Sequence, residues 1–156
     1  MKVLFVCLGN ICRSTMAEGV FSHLAKDYIA AGRLYVESAG TANYHVGERA
    51  DPRTLETLAY NGMELYSRAR QVKKSDFYEY DYIFAMDKHN LSDLFYVQNG
   101  EGKAQIMLFR EFDPIPENKE VPDPYYGDMS GFDRVFDIVF RTSESFLKHL
   151  QQQYLI

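Results

Sequence analysis

Val3-Leu4-Phe5-Val6-Cys7-Leu8-Gly9-Asn10-Ile11-Cys12-Arg13-Ser14 reads as a strand, a loop and the start of a helix. Val3–Val6 is continuously apolar, as in a strand buried on both faces of a parallel sheet. Cys7–Arg13 is a short loop containing Gly and Asn. A helix follows from Ser14 or Thr15: Ser14 is a favourable N-cap, and Thr15 with Glu18 has the capping-box spacing. Met16, Val20, Leu24 and Tyr28 continue it as a four-residue apolar stripe. Such a loop is an anion cradle. Its backbone N–H groups can turn inward, and the helix adds unpaired N–H groups and the positive end of its dipole. Gly9 supplies backbone freedom, and Arg13 can grip two phosphate oxygens with its planar fork. A positive field of this kind favours a thiolate at the cradle floor, where Cys7 sits. Ser14 can donate a hydrogen bond to that sulfur.

Outward from the loop, strands and helices alternate. Leu34–Ser38, Tyr82–Met86 and Gln105–Phe109 read as three further strands. Asp51-Pro52 opens a helix with Leu55, Leu58 and Ala59 inward, and Asp87 caps another carrying Leu91, Leu94 and Phe95. Phe132, Val135, Phe136, Val139, Ser143, Phe146, Leu147, Leu150 and Tyr154 mark a long final helix. Parallel neighbours need crossovers, so the expected fold is α/β: one domain with a four-stranded parallel sheet, helices on both faces, and the phosphate-binding loop after the first strand. Ligands bind such sheets at the carboxyl ends of the strands, which is where the Cys7–Arg13 loop falls.

The 156 residues carry 17 Lys+Arg against 22 Asp+Glu, a net charge of −5, which speaks against a nucleic-acid binder. No apolar run is long enough to span a bilayer, so no membrane association is expected. Two cysteines exclude a disulfide scaffold and suggest a reducing, cytoplasmic setting. His23, His45, His89 and His149 show no metal-ligand spacing, so no metal site is expected. The loop lacks the Gly-Lys-Ser/Thr of a nucleotide P-loop and the three glycines of a dinucleotide fingerprint. For a phosphate ester, the best candidate general acid is Asp123, between Pro122 and Pro124, with Tyr125 and Tyr126 as a possible aromatic wall.

The stretch Val6–Ser14 followed by Met16-Ala17-Glu18 resembles the signature of the low-molecular-weight protein tyrosine phosphatases. Asp123-Pro124-Tyr125-Tyr126-Gly127 is similar to that family's general-acid loop. Ser38-Ala39-Gly40-Thr41, Ala50-Asp51-Pro52-Arg53, Ala69-Arg70-Gln71 and Met86-Asp87 resemble family blocks in the same order, so the likeness covers residues 1–156 as one domain. It implies a cofactor-free, metal-free phosphocysteine mechanism acting on phosphotyrosine-containing proteins, inhibited by inorganic phosphate or vanadate, in a cytoplasmic monomer. By position it makes Cys7 the nucleophile, Arg13 the phosphate clamp and Asp123 the acid, then the base. Leu8, Gly9, Asn10, Ile11, Cys12 and Arg13 would bind phosphate. Asn10, Ser14 and Ser38 would support the loop. Tyr44, Tyr125 and Tyr126 would wall the pocket. Apart from the resemblance, Cys12 lies five positions after Cys7 in the same tight loop, which makes it a candidate redox partner of Cys7, the alternative being a small buried apolar residue at the helix start. Three positions depart from the family pattern: Thr15 where Pro is usual, Ser67 where eukaryotic-type members commonly have a His bracing the Asn, and Tyr44 where Trp is frequent. An arsenate reductase of the same fold would need further cysteines to pass a disulfide along. A phosphotyrosine-binding module without turnover would not need Cys7, Arg13 and Asp123 together.

Overall fold

The computed structural model describes residues 1–115 and 118–155. In chain order the elements are β1 (Lys2–Cys7), α1 (Arg13–Leu24), α2 (Lys26–Ala30), β2 (Tyr35–Gly40), α3 (Pro52–Tyr60), α4 (Asp76–Glu79), β3 (Tyr82–Ala85), α5 (Lys88–Gln98), β4 (Gln105–Leu108), a 3-10 turn (Phe109–Phe112), α6 (Met129–Leu150) and a wider terminal coil (Gln151–Leu155). The four strands form one parallel sheet in the order β2-β1-β3-β4, as expected of an α/β domain. From β1 the chain first adds β2 on one side, then β3 and β4 on the other. The crevice beyond the ends of β1 and β3 is therefore the topological switch point, and the loop after Cys7 opens into it.

Alternation along β1 feeds two cores. Val3, Phe5 and Cys7 face one side with Met16, Val20 and Phe21 of α1, Leu58 of α3 and the Phe132–Leu150 stripe of α6. Leu4 and Val6 face the other side with Phe77 of α4 and Leu94 of α5. The first core is aromatic, with the ring of Phe84 edge-on to Phe146 at 4.8 Å between centroids. Such pairs add about 0.5–1.5 kcal/mol each beyond area burial.

Local differences from the sequence expectation have physical causes. α1 begins at Arg13, and no side chain caps it. Thr15 donates to the carbonyl of Cys12, and Glu18 turns away to Ser38 and Ser67, so the expected capping box does not form. A capping side chain would consume the first-turn N–H groups that an anion would use. The helix breaks at Ala25, and Tyr28 falls in α2. In α3 the buried face is Thr54, Thr57 and Leu58, while Ala59 is exposed. Phe95 of α5 is exposed, and Tyr154 belongs to the terminal coil rather than α6.

Candidate active site

Cys7 ends β1 with its side chain buried. Beyond it the chain turns its carbonyls outward. Those of Cys7, Leu8 and Ile11 accept from the amides of Thr41 (2.9 Å), Ala42 (3.0 Å) and Asp51 (2.9 Å). A loop with its carbonyls turned out leaves its N–H groups free to face the centre, the arrangement an anion cradle needs. The left-handed residue is Asn10 (φ 57°), not Gly9. At Gly9 a Cβ would lie 3.1 Å from the ring of His45, a tight approach that a small movement of that side chain would relieve. At Gly40 a Cβ would lie 2.7 Å from the Leu8 carbonyl oxygen.

Asn10 is buried behind the loop and organises it. Its Nδ2 donates to Ser14 Oγ (2.8 Å) and to Ser38 Oγ (2.9 Å), and its Oδ1 accepts from the amide of Arg70 (3.0 Å). Ser14 Oγ also lies 3.0 Å from Cys7 Sγ. Either atom of that pair can donate while Cys7 is a thiol; against a Cys7 thiolate only the Ser14 hydroxyl can. Ser38 donates onward to the buried carboxyl of Glu18, which also receives Ser67 Oγ at 3.1 Å. Ser67 therefore braces the network through Glu18 rather than through Asn10. Burial pushes the Glu18 carboxyl above the ordinary carboxylate range, and the two hydroxyls only partly oppose this.

Arg13 is buried at the first turn of α1. Its Nη1 donates to Asp87 Oδ2 (2.7 Å) and to the Val121 carbonyl (3.1 Å), while Nη2 lies 3.8 Å from Asp123 Oδ2. Burial by itself would lower its pKa, but the neighbouring Cys7 and Asp87 charges hold it above the usual arginine value. Asp87 simultaneously caps α5 through the Asn90 amide at 2.7 Å. Asp123 is half-exposed and accepts from the Tyr125 amide at 3.1 Å.

These groups line one cavity of about 310 Å³. Cys7, Gly9, Cys12 and Arg13 are joined there by Asp123, and Leu8, Ile11, Tyr44, Tyr125 and Tyr126 add apolar surface. Tyr125 meets Tyr126 edge-on at 4.9 Å. Arg53 lies over the ring of Tyr125 at 5.5 Å and is held by Asp51, whose carboxyl it keeps below the usual range. Asn10, Ser14 and Ser38 do not line the cavity; they sit behind it. Cys12 is a buried thiol pushed up to about 12 by burial and by the Asp51 charge, which its Sγ faces at 3.9 Å. Among the described residues no group of three His, Cys, Asp or Glu side chains could hold a metal ion, and no helix is long and apolar enough to cross a membrane.

Sequence reasoning did not assign site roles to Asp87, Glu18, Arg70 or His45. For Asp87 a signal was available: it follows β3, the neighbour of β1, at the carboxyl edge where the Cys7 loop lies. His45, paired with Glu48, lines the cavity and carried no comparable signal.

A family model described as low molecular weight phosphotyrosine protein phosphatase matches residues 2–155. The chain is 45% identical over 151 residues to the low molecular weight phosphotyrosine protein phosphatase of Schizosaccharomyces pombe, covering 96% of this chain and 97% of that protein. Among solved structures, a protein tyrosine phosphatase from Entamoeba histolytica with Hepes in its active site superposes with a TM-score of 0.91 at 40% identity, over 99% of both chains. A Drosophila arginine phosphatase superposes with a TM-score of 0.92 at 34% identity, over 98% of this chain and 99% of that one.

Proposed function

The chain belongs to the low molecular weight phosphotyrosine protein phosphatase family, and from that premise we propose that it hydrolyses phosphotyrosine in proteins, and small aryl phosphates, through a phosphocysteine on Cys7. The observation that carries this is Cys7 Sγ, hydrogen-bonded by Ser14 in a cavity that Arg13 and Asp123 share.

In the first step the Cys7 thiolate attacks phosphorus in line with the leaving oxygen. The S–P bond forms, the P–O bond to the aryl group breaks, and Asp123 gives its proton to the departing phenolate. The inward N–H groups and the Arg13 fork hold the three equatorial oxygens, where charge is spread in the transition state. In the second step Asp123 takes a proton from water as that water attacks phosphorus. The S–P bond breaks, and inorganic phosphate and the thiolate are released. The Ser14 hydroxyl stabilises the sulfur as it leaves. No step calls for a metal, so activity should survive a chelator, and phosphate or vanadate should compete for the cradle. The same reading makes residues 1–156 one catalytic domain acting as a cytoplasmic monomer, with Cys7 as its redox-sensitive residue.

Likeness to an arginine phosphatase raises phosphoarginine as a second substrate. The wall of this cavity favours the aryl ester. Leu8, Ile11, Tyr44, Tyr125 and Tyr126 offer contacts to a ring, and among the described residues Asp123 is the only carboxylate of the lining, so a guanidinium would find one charged acceptor. Turnover of matched phosphotyrosine, phosphoserine and phosphoarginine peptides tests the reading, with Cys7→Ser as the dead control. Phosphotyrosine should be preferred at least about tenfold, the scale of one lost apolar contact set in a pocket. Equal turnover of all three, or a Cys7→Ser enzyme within tenfold of the parent, would remove it.

A further inference from the structure

The segment that carries Asp123 has no strand or helix to hold it, so its place is set by individual hydrogen bonds. Those bonds converge on two residues just before the acid. The Val121 amide donates to the Met86 carbonyl at 2.7 Å, and the Val121 carbonyl takes Arg13. The Glu120 carboxylate accepts the Lys88 amide of α5 at 2.8 Å. The Glu120 carbonyl accepts Nη1 of Arg110 at 2.7 Å.

Arg110 sits in the 3-10 turn after β4 and is 2% exposed. Its Nε donates to Asp113 Oδ2 at 2.9 Å. Asp113 is buried as well, and Arg141 of α6 donates to both of its oxygens at 3.0 and 3.1 Å. One guanidinium thus ties the backbone of Glu120 to the end of β4 and, through Asp113, to α6. A buried arginine is costly to desolvate, and an apolar side chain of similar volume could fill the same space. An apolar side chain could not fix a carbonyl oxygen in the irregular backbone of the loop.

The pin reaches Asp123 with little slack. Between them stand Val121, held at both its amide and its carbonyl, and Pro122. The proline ring locks its own φ and restricts the residue before it. We propose that Arg110 is a positioning residue for the proton-transfer step, setting where the Asp123 carboxylate stands relative to Cys7 and Arg13. This rests on the phosphatase reading of those three residues. Arg110 touches no substrate. It acts through the backbone of Glu120, and it should govern leaving-group protonation while leaving the loop amides and the Arg13–Asp87 bond in place.

The test uses the full chain with Arg110→Gln, Arg110→Lys and Asp123→Ala as reference. Kinetics are measured on aryl phosphates from p-nitrophenyl, whose leaving group needs little help, to phenyl, whose leaving group needs a proton. Backbone hydrogen exchange at Val121 is read in parallel. Arg110→Gln should lose about tenfold or more in kcat/KM on phenyl phosphate, part of the range for general acid catalysis, and under about threefold on p-nitrophenyl phosphate, because kcat/KM reports the leaving-group step whichever step limits turnover. The inhibition constant of inorganic phosphate should stay within about twofold, because Arg13 keeps its Asp87 bond and the loop carbonyls keep theirs even if the Val121 contact loosens. Val121 exchange should quicken. Arg110→Lys keeps the charge beside Asp113 and hence the fold, but can serve Asp113 or the Glu120 carbonyl, not both. It should show the same leaving-group bias in weaker form. A loss in kcat/KM equal across leaving groups in both variants, or one carried by phosphate affinity, overturns the positioning role. A parent enzyme that turns over no aryl phosphate overturns the phosphatase reading instead. The exchange measurement then decides alone, and unchanged Val121 exchange in both variants refutes the pin.

Discussion

Replacing Asp87 by Asn should separate the orientation of Arg13 from its charge. In the parent, Arg13 is buried with Nη1 held at 2.7 Å by a carboxylate that also caps α5. Asparagine has one acceptor oxygen for the two bonds that Asp87 accepts. With Oδ1 kept on the Asn90 amide α5 keeps its cap, and the Nδ2 donor then stands where Asp87 Oδ2 accepted, so the bond to Arg13 is lost. A hydrogen bond to a charged group contributes about 1.5–3 kcal/mol. If that contribution is spent on holding the fork in the geometry of the transition state, kcat should fall about 10- to 150-fold. Two effects act on substrate binding in opposite senses. A looser guanidinium binds phosphate less well, but a negative charge behind it has also been removed. They offset, so KM and the phosphate inhibition constant should change little or improve. Asp87→Ala should be worse, because it loses the α5 cap as well as the partner of the buried guanidinium; removing one partner of a buried pair costs about 3–5 kcal/mol of stability. Steady-state kinetics on p-nitrophenyl phosphate with phosphate as competitor, together with urea midpoints, give all four quantities. A fall in kcat/KM for Asp87→Asn carried wholly by KM, with kcat unchanged, would refute the orientation argument.

Cys12 faces the Asp51 carboxylate and is pushed up to about 12, so in the folded protein iodoacetamide near neutral pH should label Cys7 and spare Cys12. After mild peroxide, a Cys7 sulfenic acid should still be captured slowly by Cys12, giving recovery with thiol that Cys12→Ser lacks; Asp51→Asn should speed the capture, and no Cys7–Cys12 disulfide in the mass spectrum would leave Cys12 as packing. Glu18 has a folded pKa raised by burial, so the stability it contributes is present below its unfolded pKa and is lost as pH rises through the folded one. Glu18→Gln should therefore gain on the parent in urea midpoint as pH rises above the unfolded glutamate value of about 4.3 until the folded carboxyl ionises, and a widening deficit over that rise would contradict the sign.

What the sequence revealed and what it hid divide by range. The strand–loop–helix at Val3–Ser14 and the period of α6 are short-range patterns, and both appear in the fold. The cap at Asp51 and the cap at Asp87 are equally local, and each accepts the amide it should, Arg53 and Asn90 respectively. The misreadings come from contacts across the chain. Thr15 and Glu18 have the capping-box spacing, yet Glu18 is claimed by Ser38 and Ser67, 20 and 49 positions away. No window along the chain contains that competition. The role of Arg13 is visible locally, but the carboxylate that orients it lies 74 positions on. Phe95 fits an inward face by type, but the described structure leaves it exposed.

Asn10 shows why the long-range contacts matter to the chemistry. A non-glycine residue in the left-handed region costs roughly 1–2 kcal/mol. At the loop apex that cost is met by three hydrogen bonds, from Nδ2 to Ser14 and Ser38 and from the Arg70 amide to Oδ1. Buried bonds of this kind contribute about 0.5–1.5 kcal/mol each, enough to hold the conformation. Two of the three partners come from outside the Val6–Ser14 stretch, on β2 and on the segment before α4. The segment is itself anchored, because Arg70 grips the buried carboxylate of Asp76 at 3.0 Å. The conformation of the loop is therefore a property of the sheet edge rather than of the motif. A peptide carrying Val6–Ser14 would have the cysteine, the arginine and the serine, but not the bonds that keep its amides turned toward an anion.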